Sequence, residues 1–230
     1  MQHLTHKLGL AIAGILALGC TFDDGQGFAT LESAAFSARF EPGAEHDTGD
    51  GAIKTDQGYR VTLSRFELGV GKIGLFEQRG APSGTFEPVV SLPVERQVDV
   101  LEGPLIALDR FEPSRELPQA NITELTLGLD ALKLAGEVSG GALGTATAPL
   151  SVDFILFGDQ VADLPLTIDR DEPGAFSLAV RLDVDGRLFD GVDFAAHVSN
   201  GRIDVTTSLD PAGSAITTSL AQSALHASVD

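Results

Sequence analysis

Apolar and polar residues alternate along most of this chain, and the phase of that alternation shifts at a few defined places. Residues 29–40 hold Phe36, Ala38 and Phe40 in phase, which predicts a first strand. A polar, Gly-containing loop follows over residues 41–57. The longest strand-like stretch is 59–77. Tyr59, Val61 and Leu63 share one face, Phe66, Leu68 and Val70 fall on the opposite parity, and Ile73 and Leu75 switch back. Side chains in a strand change face at every residue, so a pattern that slips twice predicts bulges or bends at Ser64–Arg65 and at Gly71–Lys72.

Further strands are predicted at 86–92 and 94–101, around Pro93, and a short one at 104–108. Residues 112–119 read as a charged loop punctuated by Pro. Leu125, Leu127 and Leu129 are in phase within 122–131, and an apolar stretch over 132–138 continues the run. The small residues of 139–149, "SGGALGTATAP", make either a long hairpin loop or a boundary between two halves. The segment "SVDFILFG", 151–158, is apolar on both faces beyond Asp153, as expected of a central strand covered on both sides. Leu164, Leu166 and Ile168 then alternate, "DRDEPG" turns, and Phe176, Leu178, Val180, Leu182 and Val184 alternate again. This predicts a β-hairpin with one wet face. Residues 186–197 break the alternation as a turn plus a short helical corner, 202–207 give a last strand, and 215–229 form a terminal helix or a tail. About ten short strands with turn signals every dozen residues or so predict an all-β fold, an antiparallel β-sandwich of the Ig/transthyretin-like Greek-key kind with an optional short C-terminal helix. A single domain over 28–230 is expected, with 139–149 as the candidate internal boundary.

The N-terminal residues follow another rule. Residues 1–7 are short and polar, and residues 8–19 are twelve uncharged residues ending at Gly19, immediately before Cys20. Twelve are too few for a bilayer core that needs roughly 20, but suit the apolar centre of a signal peptide over 1–19. The stretch "LGLAIAGILALGC" resembles the lipobox of bacterial lipoproteins, in which the cysteine is acylated and becomes the mature N-terminus. It departs from that pattern in having Ala17 and Leu18 where the family usually has Leu and then a small residue. Cys20 is the sole cysteine of the chain, and an unpaired thiol in an exported protein otherwise lacks an explanation. Two or more acyl chains anchor stably, since each buried CH₂ adds about 0.8 kcal/mol. Thr21, rather than Asp, after the cysteine implies by the same resemblance sorting to the outer membrane, on its periplasmic face or at the cell surface. Residues 20–27, rich in Gly and Asp, read as a lipidated tether.

Composition narrows the partners. A net charge of −18 makes a self-repelling surface with no affinity for phosphate backbones, which excludes nucleic acid. No disulfide can form within a chain holding one cysteine, so the fold rests on its core alone, for which 43% apolar residues suffice. Catalytic signatures are missing: there is no G-x-S-x-G elbow, no H-E-x-x-H, and no free cysteine nucleophile. "GVGKIG", 69–74, formally matches G-x-G-x-x-G, but "LFEQRGAPSG" follows where a dinucleotide site requires a helix. Glycines that relieve a bent strand account for it better.

The segments "GYRVTLSRFELGVGKIGLFE", "VDVLEGPLIAL", "LPQANITELTLGLD" and "RLFDGVDF" are similar to those of bacterial surface lipoproteins, and within that group to the MbnP-like family, periplasmic proteins associated with copper handling. Copper chemistry in that family involves a modified tryptophan, and this sequence has no Trp. Its one Met is Met1 and its one Cys is Cys20, so soft ligands for Cu(I) are absent. Imidazole and carboxylate remain. "EHDTGD", 45–50, puts His46, Asp47 and Asp50 in one loop, and His197 could approach from another. Such a set suits Cu(II), Zn or Ni, and the plain alternative is a solvated acidic loop. The aspartates of "DVDGRLFDGVD", 183–193, do not make an EF-hand, because its Gly stands fourth rather than sixth and no Glu closes it. The sequence therefore leads to an exported, membrane-anchored lipoprotein with a non-catalytic binding or structural module and an envelope protein or glycan as partner. No cofactor is expected. The alternatives are a periplasmic copper- or zinc-binding protein using the His46 loop and a carbohydrate-active enzyme using acidic residues.

Overall fold

The computed structural model describes residues 29–77, 88, 90–108, 111, 116–117, 122–168 and 174–229. The signal-peptide run, Cys20 and the tether at 20–27 lie outside the described residues, as do the "DRDEP" turn and most of the loop at 112–119. Twelve strands and one α-helix are described: β1 (Ala29–Phe40), β2 (Ile53–Lys54), β3 (Tyr59–Glu77), β4 (Val90–Asp99), β5 (Ile106–Leu108), β6 (Glu116–Leu117), β7 (Ile122–Gly140), β8 (Thr147–Ile168), β9 (Gly174–Val184), β10 (Val198–Ser199), β11 (Arg202–Val205), α1 (Pro211–Gln222) and β12 (Leu225–Val229). They form two packed sheets, sandwich-like and all-β apart from α1. One sheet runs β12-β9-β1-β5 with β6 also on β1, and the other runs β10-β11-β8-β7-β3-β2 with β4 also on β3.

Inward-facing residues of both sheets make one hydrophobic cluster, including Phe36, Phe66, Leu127, Val152, Val180, Phe189 and Ile216. Buried residues before and after 139–149 belong to that same cluster. The segment itself is the tight end of the β7–β8 hairpin: Ser139 pairs with Thr147, and Gly141–Leu143 make a 3₁₀ turn between them. Each fully buried Val, Leu, Ile or Phe contributes about 1.5–3 kcal/mol, so the fold holds without a cross-link.

The phase slips of β3 are present. Opposite β7, register shifts fall between Leu63 and Arg65 and again between Gly69 and Lys72. Tyr59, Val61, Phe66, Leu68, Val70, Ile73 and Leu75 are consequently all buried despite their changing parity. The second slip is shared by neighbouring strands. Gly71 faces two residues of β4, Val94 and Glu95, between the pairs Val70–Arg96 and Lys72–Pro93. Glu95 there adopts φ +47°, a conformation rare for a non-glycine residue. Across β7, four residues of β8 stand opposite Asp130, between the pairs Ala131–Ile155 and Leu129–Gln160. One crease thus crosses four adjacent strands, and "GVGKIG" lies on it as bent strand within β3, which continues to Glu77.

Three expectations are corrected. The segments 164–168 and 176–184 do not form a hairpin. The first ends β8 and pairs with β7, whereas the second is β9, in the other sheet, parallel to β1 and antiparallel to β12. Alternation reports which face is buried, and both segments face the shared core, so it cannot name a strand's partner. The sheets are accordingly mixed, with parallel pairs at β1–β9 and β8–β11. Secondly, β8 is not covered on both sides at 151–156: Val152, Phe154 and Leu156 are buried, but Ile155 is 67% exposed. Thirdly, the helix begins at Pro211, and residues 225–229 are a strand, not its continuation. Asp210 caps it by accepting from the Ala212 N–H at 2.9 Å, and Pro211 occupies the first turn, where its missing N–H costs nothing.

Candidate functional site

The two segments with the most chemistry, 41–58 and 185–197, meet at one end of the sandwich. They are locked together at Gly186, where a Cβ would stand 2.3 Å from the His46 Cβ and 2.9 Å from the Pro42 carbonyl. Only glycine lets the chains approach this closely. The Gly186 N–H donates to that carbonyl at 3.1 Å, and the Asp185 N–H donates to Ala224 at 2.8 Å, so the turn also ties in the start of β12. Helix α1 joins the assembly through the Ser219 hydroxyl, which donates to the Arg187 carbonyl.

Within the His46 loop each candidate ligand has a local partner. His46 Nδ1 lies 2.8 Å from the Lys54 carbonyl and must carry the proton there, because a carbonyl only accepts. Asp47 accepts from the Gly49 N–H at 2.7 Å in an Asx turn. Asp50 accepts from the Thr48 hydroxyl at 2.5 Å and from the Arg60 guanidinium at 2.6 Å. These two bonds, Thr48 first, lower the Asp50 carboxyl to about 2. His197 lies beside Asp210, the α1 cap, with Nδ1 3.4 Å from its carboxylate. The structure thus keeps His46, Asp47 and Asp50 on one loop and assigns His197 to the helix cap. Among the described residues, no group of three or more His, Cys, Asp or Glu side chains is placed to hold a metal ion.

The 185–197 segment is organised by two buried or half-buried contacts. Asp185 accepts from Arg187 Nε at 2.8 Å and Nη2 at 2.6 Å, and lies 2.9 Å from His226 Nε2 of β12. Burial raises the Asp185 carboxyl, but the bonds from Arg187 and His226 outweigh it and hold the group below its ordinary value. The buried Tyr59 donates its hydroxyl to Asp193 at 2.5 Å and accepts from the Ala195 N–H at 3.2 Å. Its ring meets Phe194 edge to face, with centroids 5.3 Å apart. Burial, then the bond to Asp193, raises the Tyr59 hydroxyl, and the same bond lowers the Asp193 carboxyl.

Tyr59 therefore pins the 3₁₀ corner Phe194–His197 to the sheet. Sequence reasoning placed Tyr59 on a buried face but missed this role. The available signal was a lone tyrosine at a core position, whose hydroxyl needs a partner. Tyr59→Phe is expected to lower the melting temperature and speed hydrogen exchange at Ala195, with the far end of β3 unaffected. Unchanged exchange at Ala195 would contradict the pinning.

An open groove of about 680 Å³ along α1 is lined by Asp190 together with Ser214, Thr218 and Gln222. The three described histidines face the Lys54 carbonyl, Asp210, and the Asp185–Arg187 pair. None of these partners is a hydroxyl or thiol that an imidazole could activate. No family model matches the chain, and neither a curated protein nor a solved structure matches it.

Proposed function

We propose that this protein is an exported lipoprotein, anchored to the outer membrane through acyl chains on Cys20, with its β-sandwich serving as a non-catalytic binding or structural module of the cell envelope. The observation that carries this reading is the apolar run of residues 8–19, which ends at Gly19 before the chain's sole cysteine. Two structural facts agree with it. Among the described residues no helix is long and apolar enough to cross a membrane, and the proposal places the attachment at the N-terminus. The sandwich also buries its own core without a disulfide.

Fractionation with fatty-acid labelling tests the anchor. The wild type is expected in the membrane fraction and labelled, and Cys20→Ser in the soluble envelope fraction and unlabelled. A wild type that takes up no label would sink the proposal.

A further inference from the structure

We propose that Asp190 makes the turn at 185–191 a proton-operated clamp, which holds this end of the sandwich more tightly in mildly acidic than in neutral solution. Asp190 follows the 3₁₀ turn Gly186–Phe189, and its own N–H donates to the Arg187 carbonyl at 3.0 Å. Two other carboxylates stand nearby and take the strongest donors. Asp185 binds the Arg187 guanidinium through both Nε and Nη2, and Asp56 receives the Gly191 N–H on both its oxygens, at 3.0 and 3.1 Å. Asp190 Oδ1 is sealed from solvent with no hydrogen-bond partner. An ionised carboxylate oxygen placed there loses water without gaining a donor, which is unfavourable. A proton removes the charge.

The surrounding groups decide the sign. Burial first, then the charges of Asp56 and Asp185, push the Asp190 carboxyl above its ordinary value. The His46 ring from the loop after β1 and the Asp56 main chain pull the other way without cancelling this. His226 of β12 contacts Asp185 and Arg187, and Glu45 faces Arg187. The side chains of α1 and its C-cap along the groove, Ser214, Thr218, Ser219, Gln222 and Ser223, carry no charge. A carboxyl raised in the folded state stabilises fully below its unfolded value, 3.8, and that contribution is lost as pH rises through the raised folded value. The clamp therefore loosens towards neutrality. What loosens is the set of contacts that the turn makes with Pro42, His46, Ser219 and Ala224. It belongs to the folded domain and is independent of any anchor at Cys20.

The test is a ¹³C carboxyl titration of the full-length chain, with the Asp190 resonance assigned by its loss in Asp190→Asn. The midpoint is expected above 3.8, and a midpoint at or below it overturns the proposal. Asp190→Asn should also melt higher than the wild type at pH 7.5, with the gap closing as pH falls to 4. Parallel melting profiles overturn the clamp. If the variant does not fold, His46→Gln supplies the second reading: removing the facing imidazole should move the Asp190 midpoint further up, and a downward move contradicts the arrangement.

Discussion

Val180→Asp is expected to cost the fold about 4 kcal/mol. Val180 is 1% exposed on β9 and belongs to the core cluster. Removing its side chain from the core forfeits about 1.5–3 kcal/mol of burial, and an unpaired carboxylate there adds at least about 1–3 kcal/mol. A loss of about 4 kcal/mol is a large fraction of the roughly 5–15 kcal/mol that stabilises a domain. At about 2–4 °C per kcal/mol for a chain of this size, the melting temperature should fall by about 10 °C. Arg181 points the other way and lies 3.4 Å from Asp183. Arg181→Gln should change stability by no more than about 1 kcal/mol. Equal shifts for the two variants would mean that the faces of β9 are misassigned.

The second large effect is expected at Gly136, where β7 passes the first slip of β3. A Cβ there would stand 2.1 Å from the Thr62 carbonyl oxygen and 3.1 Å from the Leu63 Cα, both main chain. No rotamer change relieves a clash with backbone, so Gly136→Ala must displace β3 and should cost about 3 kcal/mol, the upper range for overpacking. Gly128 on the same strand is the control, because its Cβ would meet nothing closer than 3.5 Å. Denaturant midpoints should fall sharply for Gly136→Ala and move little for Gly128→Ala. Coincident midpoints would show that β3 and β7 are not so close.

These expectations separate what the sequence reveals from what it hides. The period-2 pattern reports burial face by face, which is why the two slips in β3 were readable at Ser64 and Gly71. Pairing is another matter. Leu164, Leu166 and Ile168 alternate as cleanly as Phe176, Leu178 and Val180, yet they sit in different sheets, and no local property of either segment names the partner. The candidate site divides in the same way. The His46 loop and the aspartates of 183–193 each stand out in the sequence. Their contact at Gly186 depends on topology, as does the bond from Tyr59 to Asp193. The helix start carries a local signal that the reading of 215–229 passed over, a capping residue followed by Pro at Asp210–Pro211. Its end, and the return of 225–229 to the sheet edge, depend on β9 being there to pair with.

The parallel pairing of β1 with β9 has a consequence for how the chain assembles. Residues such as Ser33 and Ser177, whose hydroxyls meet at 2.7 Å, are 144 positions apart. Joining strands so distant in sequence closes a very long loop before any contact rewards it, and folds dominated by such pairings are slow to form. As the chain emerges from the ribosome, β1 is made first and β9 among the last strands. Until residues 174–184 are available, β1 has, among the described residues, only the three of β5 and the two of β6 to pair with. Most of its length is then an uncovered edge, open to pairing with other chains. The C-terminal quarter therefore completes the fold: a chain truncated before residue 174 would keep the β3–β7 pairing and the β7–β8 hairpin but leave β1 as an aggregation-prone strand.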